Sequence, residues 1–272
     1  MAKKYALTTG VGIKIGAGTV VPIHWLPGQL RLPKIHEPNP IYAANLRNPQ
    51  RINKGKVTFP FSVGFIPTED TILGLVNKSA ALLDTFELHV GTTKFTGCKA
   101  GSLTLKLGTF AELQATLDGH ALDFDTTTDP GVPADFHPFS CEGMVVTGLG
   151  ADMEMEDATI TIGNDLSPRH AMGGTATKKR IPRCIGEGNQ TQHQLQLNLL
   201  ELTTGLADIS AEALAAITSV TIALTDDTTP AARTLTITLG GVMASDESEE
   251  EKEKLIQPGY QFEFASYAAA IA

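Results

Sequence analysis

Cysteine is scarce in this sequence, and its few occurrences form no pattern. Cys98, Cys141 and Cys184 are the three cysteines among 272 residues, and no two of them stand in a Cys-x-x-Cys spacing. Three widely separated thiols do not fit the disulfide framework of a small secreted domain. We therefore expect reduced cysteines in a protein made in a cytoplasm.

Long apolar runs are also missing. Lys3 and Lys4 stand near the start of the sequence, but the apolar run of a signal peptide does not follow them. No stretch approaches the roughly 20 apolar residues that a membrane-spanning helix needs. We expect a soluble protein with no export signal and no membrane partner.

The sequence lacks recognisable motifs for catalysis and metal binding. It has no Gly-x-Ser-x-Gly segment, and the glycine-rich stretch from Gly10 to Gly16 lacks the Gly-Lys-Ser/Thr ending of a phosphate-binding loop. His137 and Cys141 could supply two ligands to zinc, but their spacing is unlike that of compact zinc motifs. We expect no enzyme, no metal site and no cofactor.

Charged residues are few, at 19% of the chain, where ~25% is usual. The polar positions of the predicted strands are mostly Thr, Ser, Gln and Asn. Monomeric proteins commonly protect sheet edges with Lys, with Pro or with short strands, and little of that protection is visible in the sequence. We hypothesise that the edges pair with neighbouring copies of the chain. The alternative is that long loops of the same chain cover them.

The main pattern that is present is alternation with a period of two. Leu103, Leu105 and Leu107 alternate with polar residues, which places apolar side chains on one face of a strand. Similar patterns predict further strands at 20–25, 57–65, 86–98, 110–118, 144–148, 153–162, 194–199, 220–225, 234–239 and 258–266. So much alternation predicts a mainly β chain that folds as an antiparallel β-sandwich.

One or two short helices are predicted beside the sandwich. Thr68 is placed to cap a run with apolar residues near helical spacing from Ile72 to Leu83. Ser210 is placed to cap a second helix, Ala211 to Ile217.

Turn-forming residues predict the main loops. They cluster at 163–169 and at 186–189, and the stretch between these clusters is interpreted as a long loop. Residues 125–138 are predicted to be a loop that joins two halves. The acidic run from Asp246 to Lys254 is interpreted as a solvated loop before the last strand.

Charge is unevenly distributed, which divides the chain into three regions. Residues 1–56 contain nine Lys and Arg against one acid, Glu37, and so carry +8 of a total of −9, which leaves −17 for residues 57–272. We predict a basic, extended N-terminal arm at 1–56, a β-sandwich core at 57–245, and an acidic loop with a C-terminal strand at 246–272.

The basic arm has three interpretations. It could bind nucleic acid, it could bind the acidic body of the next identical copy, or it could be a solvated segment. It lacks clustered aromatic residues and dense Arg runs, which favours self-association over nucleic-acid binding. The candidate inter-subunit residues are Lys34, Arg47, Arg51, Lys54 and Lys56.

The order of several stretches carries a family resemblance. Residues 56–65 precede the predicted helix at Thr68, residues 95–107 lead into 111–120, and residues 158–166 are followed by a glycine-rich loop, a basic strand and 192–199. This order resembles the phage major tail proteins, the tail tube proteins of long-tailed phages.

The resemblance implies a specific assembly. Members fold as a β-sandwich with a flanking helix, form hexameric rings whose sheets close an inner β-barrel, and stack these rings into a tube. A long hairpin and terminal arms make ring-to-ring contacts, which suits the basic region 1–56. Phage DNA and the tape measure protein pass through the lumen without sequence-specific binding, and a tail sheath is a further partner in some tails. The resemblance also implies a virion protein made in the host cytoplasm, without catalytic residues.

Three acidic residues are candidates for the lumen wall. Asp152, Glu154 and Glu156 alternate with methionines, which puts three carboxylates on one strand face. Like charges at this spacing repel, and a negative wall shared by six copies suits a channel that DNA must pass without sticking. The alternative is a solvent-facing acidic strand. The alternation changes phase beyond these residues, which predicts a β-bulge near Asp157.

A basic segment is assigned to a subunit interface. The predicted basic strand contains Lys178, Lys179, Arg180 and Arg183. Because a basic inner wall would hold DNA, we place this strand at a contact between subunits and not in the lumen.

Two other interpretations stay open. One is a distal tail or hub-ring protein on the same fold. The other is a ligand-binding β-sandwich such as a carbohydrate-binding module, although such modules usually expose aromatic residues and Trp25 is the only tryptophan.

Overall fold

The structure is a computed structural model. It describes residues 9–41, 51–79, 82–109, 111–133, 136–149, 154–170, 180–200, 217–228, 232–252 and 255–272. Within these ranges one α-helix, α1 (Asp70–Leu73), is followed by a 3-10 turn, Gly74–Val76.

The strands of the described chain are numbered in chain order. They are β1 (Val11–Ile15), β2 (Val21–Pro22), β3 (His24–Arg31), β4 (Ile35–Ile41), β5 (Arg51–Ile66), β6 (Lys78–Ser79), β7 (Leu82–Leu83), β8 (Phe86–Val90), β9 (Thr93–Gly108), β10 (Gln114–Ala121), β11 (Asp123–Thr126), β12 (Ser140–Thr147), β13 (Glu154–Arg169), β14 (Cys184–Leu200), β15 (Ser219–Thr225), β16 (Thr234–Gly240), β17 (Met243–Lys252), β18 (Leu255–Glu263) and β19 (Ser266–Ile271).

These strands form two main antiparallel sheets. The path through the large sheet runs β17-β18-β14-β13-β9-β10-β5-β3, and β4 pairs with the first half of β5. The small sheet has the order β12-β15-β16-β19. The predicted mainly β, antiparallel sandwich is confirmed. Within the described ranges neither sheet closes on itself. Closure into a ring-shaped barrel on oligomerisation stays a prediction.

The core lies between the apolar faces of the two sheets. Leu103, Leu105 and Leu107 of β9 are at most 2% exposed, and they share one hydrophobic cluster with Ile222 and Ile237 of the small sheet. Burying a side chain of this size stabilises the fold by ~1.5–3 kcal/mol. Burial of the alternating apolar side chains between the two sheets therefore stabilises the sandwich.

The predicted strand at 86–98 is wrong in one respect, because it is a hairpin. β8 ends at Val90 and β9 begins at Thr93. Gly91 between them has a φ of +53°, a conformation that costs a glycine little. The predicted last strand, 258–266, is likewise split between β18 and β19.

The two helix predictions meet different outcomes. Helical structure begins at Asp70, and no side-chain hydrogen bond caps it, so the predicted Thr68 cap is wrong. Helical structure ends at Val76 and does not continue to Leu83 as predicted. Leu83 belongs to β7, which pairs with β6. Most of the predicted second helix lies outside the described residues, and Ile217 is buried but not helical.

Two predicted turn clusters are strands. Residues 163–169 belong to β13 and residues 186–189 to β14, and the two strands pair with register shifts on either side of Asn164. Their glycines allow close packing, since a Cβ on Gly188 would clash with the Asp165 carboxylate. The predicted loop at 125–138 is confirmed in its described residues beyond Thr126.

The acidic run is also a strand where a loop was predicted. Residues 246–252 belong to β17, which pairs along its whole length with β18. Residues 253–254 lie outside the described chain.

Much of the described part of region 1–56 is built into the sheets. β1 pairs with β8, and its residues Val11 and Ile13 are at most 1% exposed. The predicted boundary between residues 56 and 57 falls inside β5. As functional regions, 1–56, 57–245 and 246–272 stay predictions.

Candidate assembly surfaces

The predicted arm residues gather at one end of the large sheet. Arg51, Lys54 and Lys56 lie on the first half of β5, where it pairs with β4, and Lys34 lies in the link from β3 to β4. Arg47 lies outside the described residues. The topology thus brings four of the five candidates to one place.

Two of these cations also have partners in their own chain. The Lys34 ammonium lies 5.2 Å from the ring centroid of Phe124 and 5.9 Å from that of Phe59, a cation–π arrangement. Lys56 lies directly opposite Glu37 across the β4–β5 pair. Both lysines are exposed, so their charge remains accessible to another molecule.

Arg180 is attached to the same end of the sheet. Its Nε donates to the backbone oxygen of Gly55 at 3.0 Å, and its own backbone oxygen accepts from the N–H of Val57 at 2.9 Å. Its Nη2 lies 3.4 Å from His36 Nδ1. Arg180 therefore adds a cation to the β4–β5 end.

The predicted basic strand at 178–183 is wrong in its described part. Arg180 lies in a turn and Arg183 in a bend, and Pro182 between them has no N–H to donate to a strand ladder. Lys178 and Lys179 lie outside the described residues. An interface role for these residues stays a prediction.

The predicted acidic residues lie at the start of β13. Glu154 is its first residue and pairs with Leu200, while Asp152 lies outside the described chain. The register skips Glu156, whose backbone oxygen accepts from Thr109 Oγ1 at 2.6 Å. The predicted bulge is therefore confirmed, and Glu156 is the extra residue.

Beyond the bulge, polar side chains form rows across the large sheet. One row contains Thr116, Thr104, Thr161, Gln194 and Glu263, and the next contains Gln114, Lys106, Thr159, Gln196 and Gln261. Asp157 follows at the end of this surface and accepts from Asn198 Nδ2 at 2.8 Å. We call this surface the polar face. It is rich in neutral hydrogen-bonding groups and carries few charges.

Most described sheet edges carry protection that the sequence analysis did not recognise. β17 contains five acidic residues, β3 and β4 contain prolines, and β12 contains Glu142 and an irregular register. Charges, prolines and bulges hinder pairing with another strand. The prediction that the edges are generally unprotected is wrong for these strands.

β19 is the exception among the described edge strands of more than two residues. Its sequence, Ser-Tyr-Ala-Ala-Ala-Ile, has no charge and no proline, and its pairing with β16 is regular. The strand predicted at 258–266 reaches only Ser266 of β19, so the rest of this edge strand was missed. The signal was the lack of a charge or proline at six successive positions.

The hydrogen-bond phase of β19 shows which groups face outward. Thr234 and Ala272 exchange both backbone bonds at 3.0 Å, and antiparallel ladders alternate bonded and non-bonded pairs. The N–H and C=O groups of Ala268 and Ala270 therefore point to β16. Those of Tyr267, Ala269 and Ile271 point to the outer edge.

The outer edge is closed at one end and open along the rest. The N–H of Ile271 donates to Asp70 Oδ2 at 3.1 Å, so α1 covers that end. In the described part of the chain, no other strand pairs with the edge at Tyr267 and Ala269. The Tyr267 side chain is buried, which anchors β19 to the core and raises the pKa of its phenol.

The turn between β15 and β16 is held by a buried carboxylate. Asp226 accepts from the N–H and Nε of Arg233 at 2.8 and 2.7 Å, and from the N–H and Oγ1 of Thr228 at 3.1 and 2.8 Å. Burial alone would raise the pKa of Asp226, but these hydrogen bonds outweigh it and lower the pKa to about 2. The Arg233 guanidinium also lies 5.6 Å from the Phe139 ring centroid. The turn between β15 and β16 is thus held by side-chain hydrogen bonds.

The described residues contain no group of three or more His, Cys, Asp or Glu side chains arranged to hold a metal ion. No helix in the described ranges is both long enough and apolar enough to cross a membrane.

An open, uncharged strand edge can pair with a strand of another chain. A family model described as phage tail tube protein matches residues 27–189, more than half of the chain. The chain therefore belongs to the phage tail tube protein family, and it is a structural protein of the phage tail. No curated protein matches it.

Proposed function

We propose that the chain polymerises as stacked hexameric rings that form the tail tube, the conduit through which phage DNA leaves the virion. Family membership supports a structural role in a tube. A tube needs each copy to contact copies within its ring and in the neighbouring rings. The tape measure protein and the DNA are the proposed occupants of the lumen.

The observation that carries this proposal is the open edge of β19. Outward N–H and C=O groups without partners are a template for another strand. The exposed side chains beside them, those of Ala268 and Ala270, are small and uncharged, so a second backbone can approach closely. In the proposed ring, a strand of the neighbouring copy pairs with this edge.

The polar face is the proposed lumen wall. Its neutral Thr and Gln side chains do not attract phosphates strongly, whereas a basic surface would bind DNA by counter-ion release. Glu154 and Glu156 lie on β13, the strand that also supplies Thr159 and Thr161 to this face. Their charge adds repulsion of the DNA backbone.

Ring-to-ring contact is assigned to the basic β4–β5 end. Arg51, Lys54 and Lys56 lie there, and Arg47 lies in the segment that joins the two strands. In this arrangement a sheath, where one is present, surrounds the tube.

Electron microscopy of the purified protein in negative stain tests the proposed function. We expect rings or tubes with a central channel, and six-fold symmetry in end-on class averages. Sedimentation of the same sample over a range of concentrations is the companion measurement. A monomer that remains monodisperse at high concentration would contradict the proposal.

A further inference from the structure

The two ends of the large sheet carry opposite charge. The sheet order places β17 at one end, and places β3 and β4 beside β5 at the other. β17 contains Asp246, Glu247, Glu249, Glu250 and Glu251 against one cation, Lys252. The strand that the sequence analysis interpreted as a solvated acidic loop is thus an edge strand of high charge density.

The opposite end is basic. Residues 31–41 and 51–58 contain five cations, namely Arg31, Lys34, Arg51, Lys54 and Lys56, against one acid, Glu37. Arg180 is attached to this end through Gly55. The chain is therefore polarised along the strand order of its sheet, although its total charge is acidic.

This polarity decides which surfaces can meet. Two β17 strands side by side would bring ten acidic residues together, and two β4–β5 ends would bring their cations together, so both symmetric pairings are repelled. A β17 strand and a β4–β5 end attract each other. Contacts between two different surfaces are heterologous, and they build rings or open stacks instead of closed dimers.

We propose that β17 of one copy docks on the β4–β5 end of a copy in the adjacent ring, and that this charge pairing stacks the rings with a fixed polarity. The proposal rests on the proposed function, and it adds that β17 of the adjacent copy is the surface that binds the basic β4–β5 end. The partner is a second copy of this chain. Prolines in β4 disfavour a continuous backbone ladder there, so side-chain charge supplies the contact.

Two charge-reversal variants test the docking. The acid-reversed variant carries Glu249→Lys, Glu250→Lys and Glu251→Lys. The base-reversed variant carries Arg51→Glu, Lys54→Glu and Lys56→Glu. In each variant both ends of the sheet have the same sign, so we expect rings without tubes from either protein alone.

Mixing the two variants restores complementary charge at every interface between a ring of one variant and a ring of the other. We expect the equimolar mixture to form tubes of alternating rings, measured by electron microscopy and by pelleting. A control with Asp84→Lys, Glu112→Lys and Glu142→Lys, three exposed acids outside β17, has the same charge change as the acid-reversed variant. We expect the control to form tubes as the unmodified chain does.

Two results would overturn the docking: tubes of normal length from either variant alone, or a mixture that stays as unstacked rings although circular dichroism shows both proteins folded. A salt titration of the unmodified chain is the independent arm. Because the Debye length falls from ~30 Å at 0.01 M to ~3 Å at 1 M, we expect tubes to separate into rings over that range, and salt-insensitive tubes would also overturn it. Absence of rings from the unmodified chain would instead refute the proposed function.

Discussion

Asp70 Oδ2 accepts a hydrogen bond from the backbone N–H of Ile271 at 3.1 Å, and this bond joins α1 to the last strand of the chain. The carboxylate occupies the place that a carbonyl of a neighbouring strand would take. It therefore limits the open edge of β19 to the residues before Ile271. In the proposed ring, Asp70 sets how far an incoming strand can pair.

Replacing Asp70 tests this limit. We expect Asp70→Ala to expose the Ile271 N–H, to lower the free energy of unfolding by about 1 kcal/mol, and to let rings form at a lower protein concentration. Asp70→Asn keeps an acceptor oxygen and should behave like the unmodified chain. Urea titration and sedimentation measure the two effects. Unchanged assembly by the Ala variant would show that Asp70 does not limit the edge.

A pair of proline substitutions separates the edge from the fold. Ala269→Pro removes an N–H that points outward, so we expect a folded protein that no longer forms rings. Ala268→Pro removes an N–H that points to β16, so we expect a loss of stability of ~3 kcal/mol or more. Circular dichroism during thermal unfolding and electron microscopy distinguish the two. Normal rings from Ala269→Pro would remove β19 from the ring contact.

The buried carboxylate at Asp226 predicts acid sensitivity. Its folded-state pKa is about 2, below the ordinary 3.8, so it stabilises the fold fully above pH ~4 and loses that contribution as the pH falls towards 2. The contribution is about 2 kcal/mol. We expect the unmodified chain to lose this much more stability than Asp226→Asn between pH 5 and pH 2, measured by urea titration at each pH. Parallel pH profiles for the two proteins would contradict this.

Charge reversal at the start of β13 tests the lumen assignment. We expect Glu154→Lys with Glu156→Lys to leave tube assembly intact and to slow DNA ejection, because cations in the channel wall attract the phosphate backbone. Ejection from assembled virions is the measurement, and Glu154→Gln with Glu156→Gln is the control of equal size. Unchanged ejection by the Lys variant would place these residues outside the lumen.

The sequence predicted the strands whose apolar side chains are buried in regular alternation. Examples are Leu103 to Leu107 and Val220 to Leu224. When one face of a strand is buried, apolar residues that alternate with polar ones can all reach that face in only one register. Residues 163–169 show where local reasoning fails. Their Gly, Asn, Asp, Ser and Pro favour a turn locally, but pairing with β14 along the whole segment overrides that preference, and register shifts absorb the misfit.

Predicting the candidate surfaces requires the strand order, which a single sequence does not contain. The uncharged segment from Ser266 to Ile271 can be read directly, but its place at a sheet edge follows from strand order. The same is true of β17. Its acidic composition favours a solvated loop, since strands are poor in Asp and Glu, and only its pairing with β18 shows an edge strand.

Backbone amide hydrogen exchange along β19, compared between dilute monomer and assembled rings, tests the central claim most directly. The account predicts that the amides of Tyr267 and Ala269 exchange rapidly in the monomer and become protected on assembly, while those of Ala268 and Ala270 are protected in both states. Equal exchange of Tyr267 and Ala269 before and after assembly would contradict the claim that another copy completes this edge.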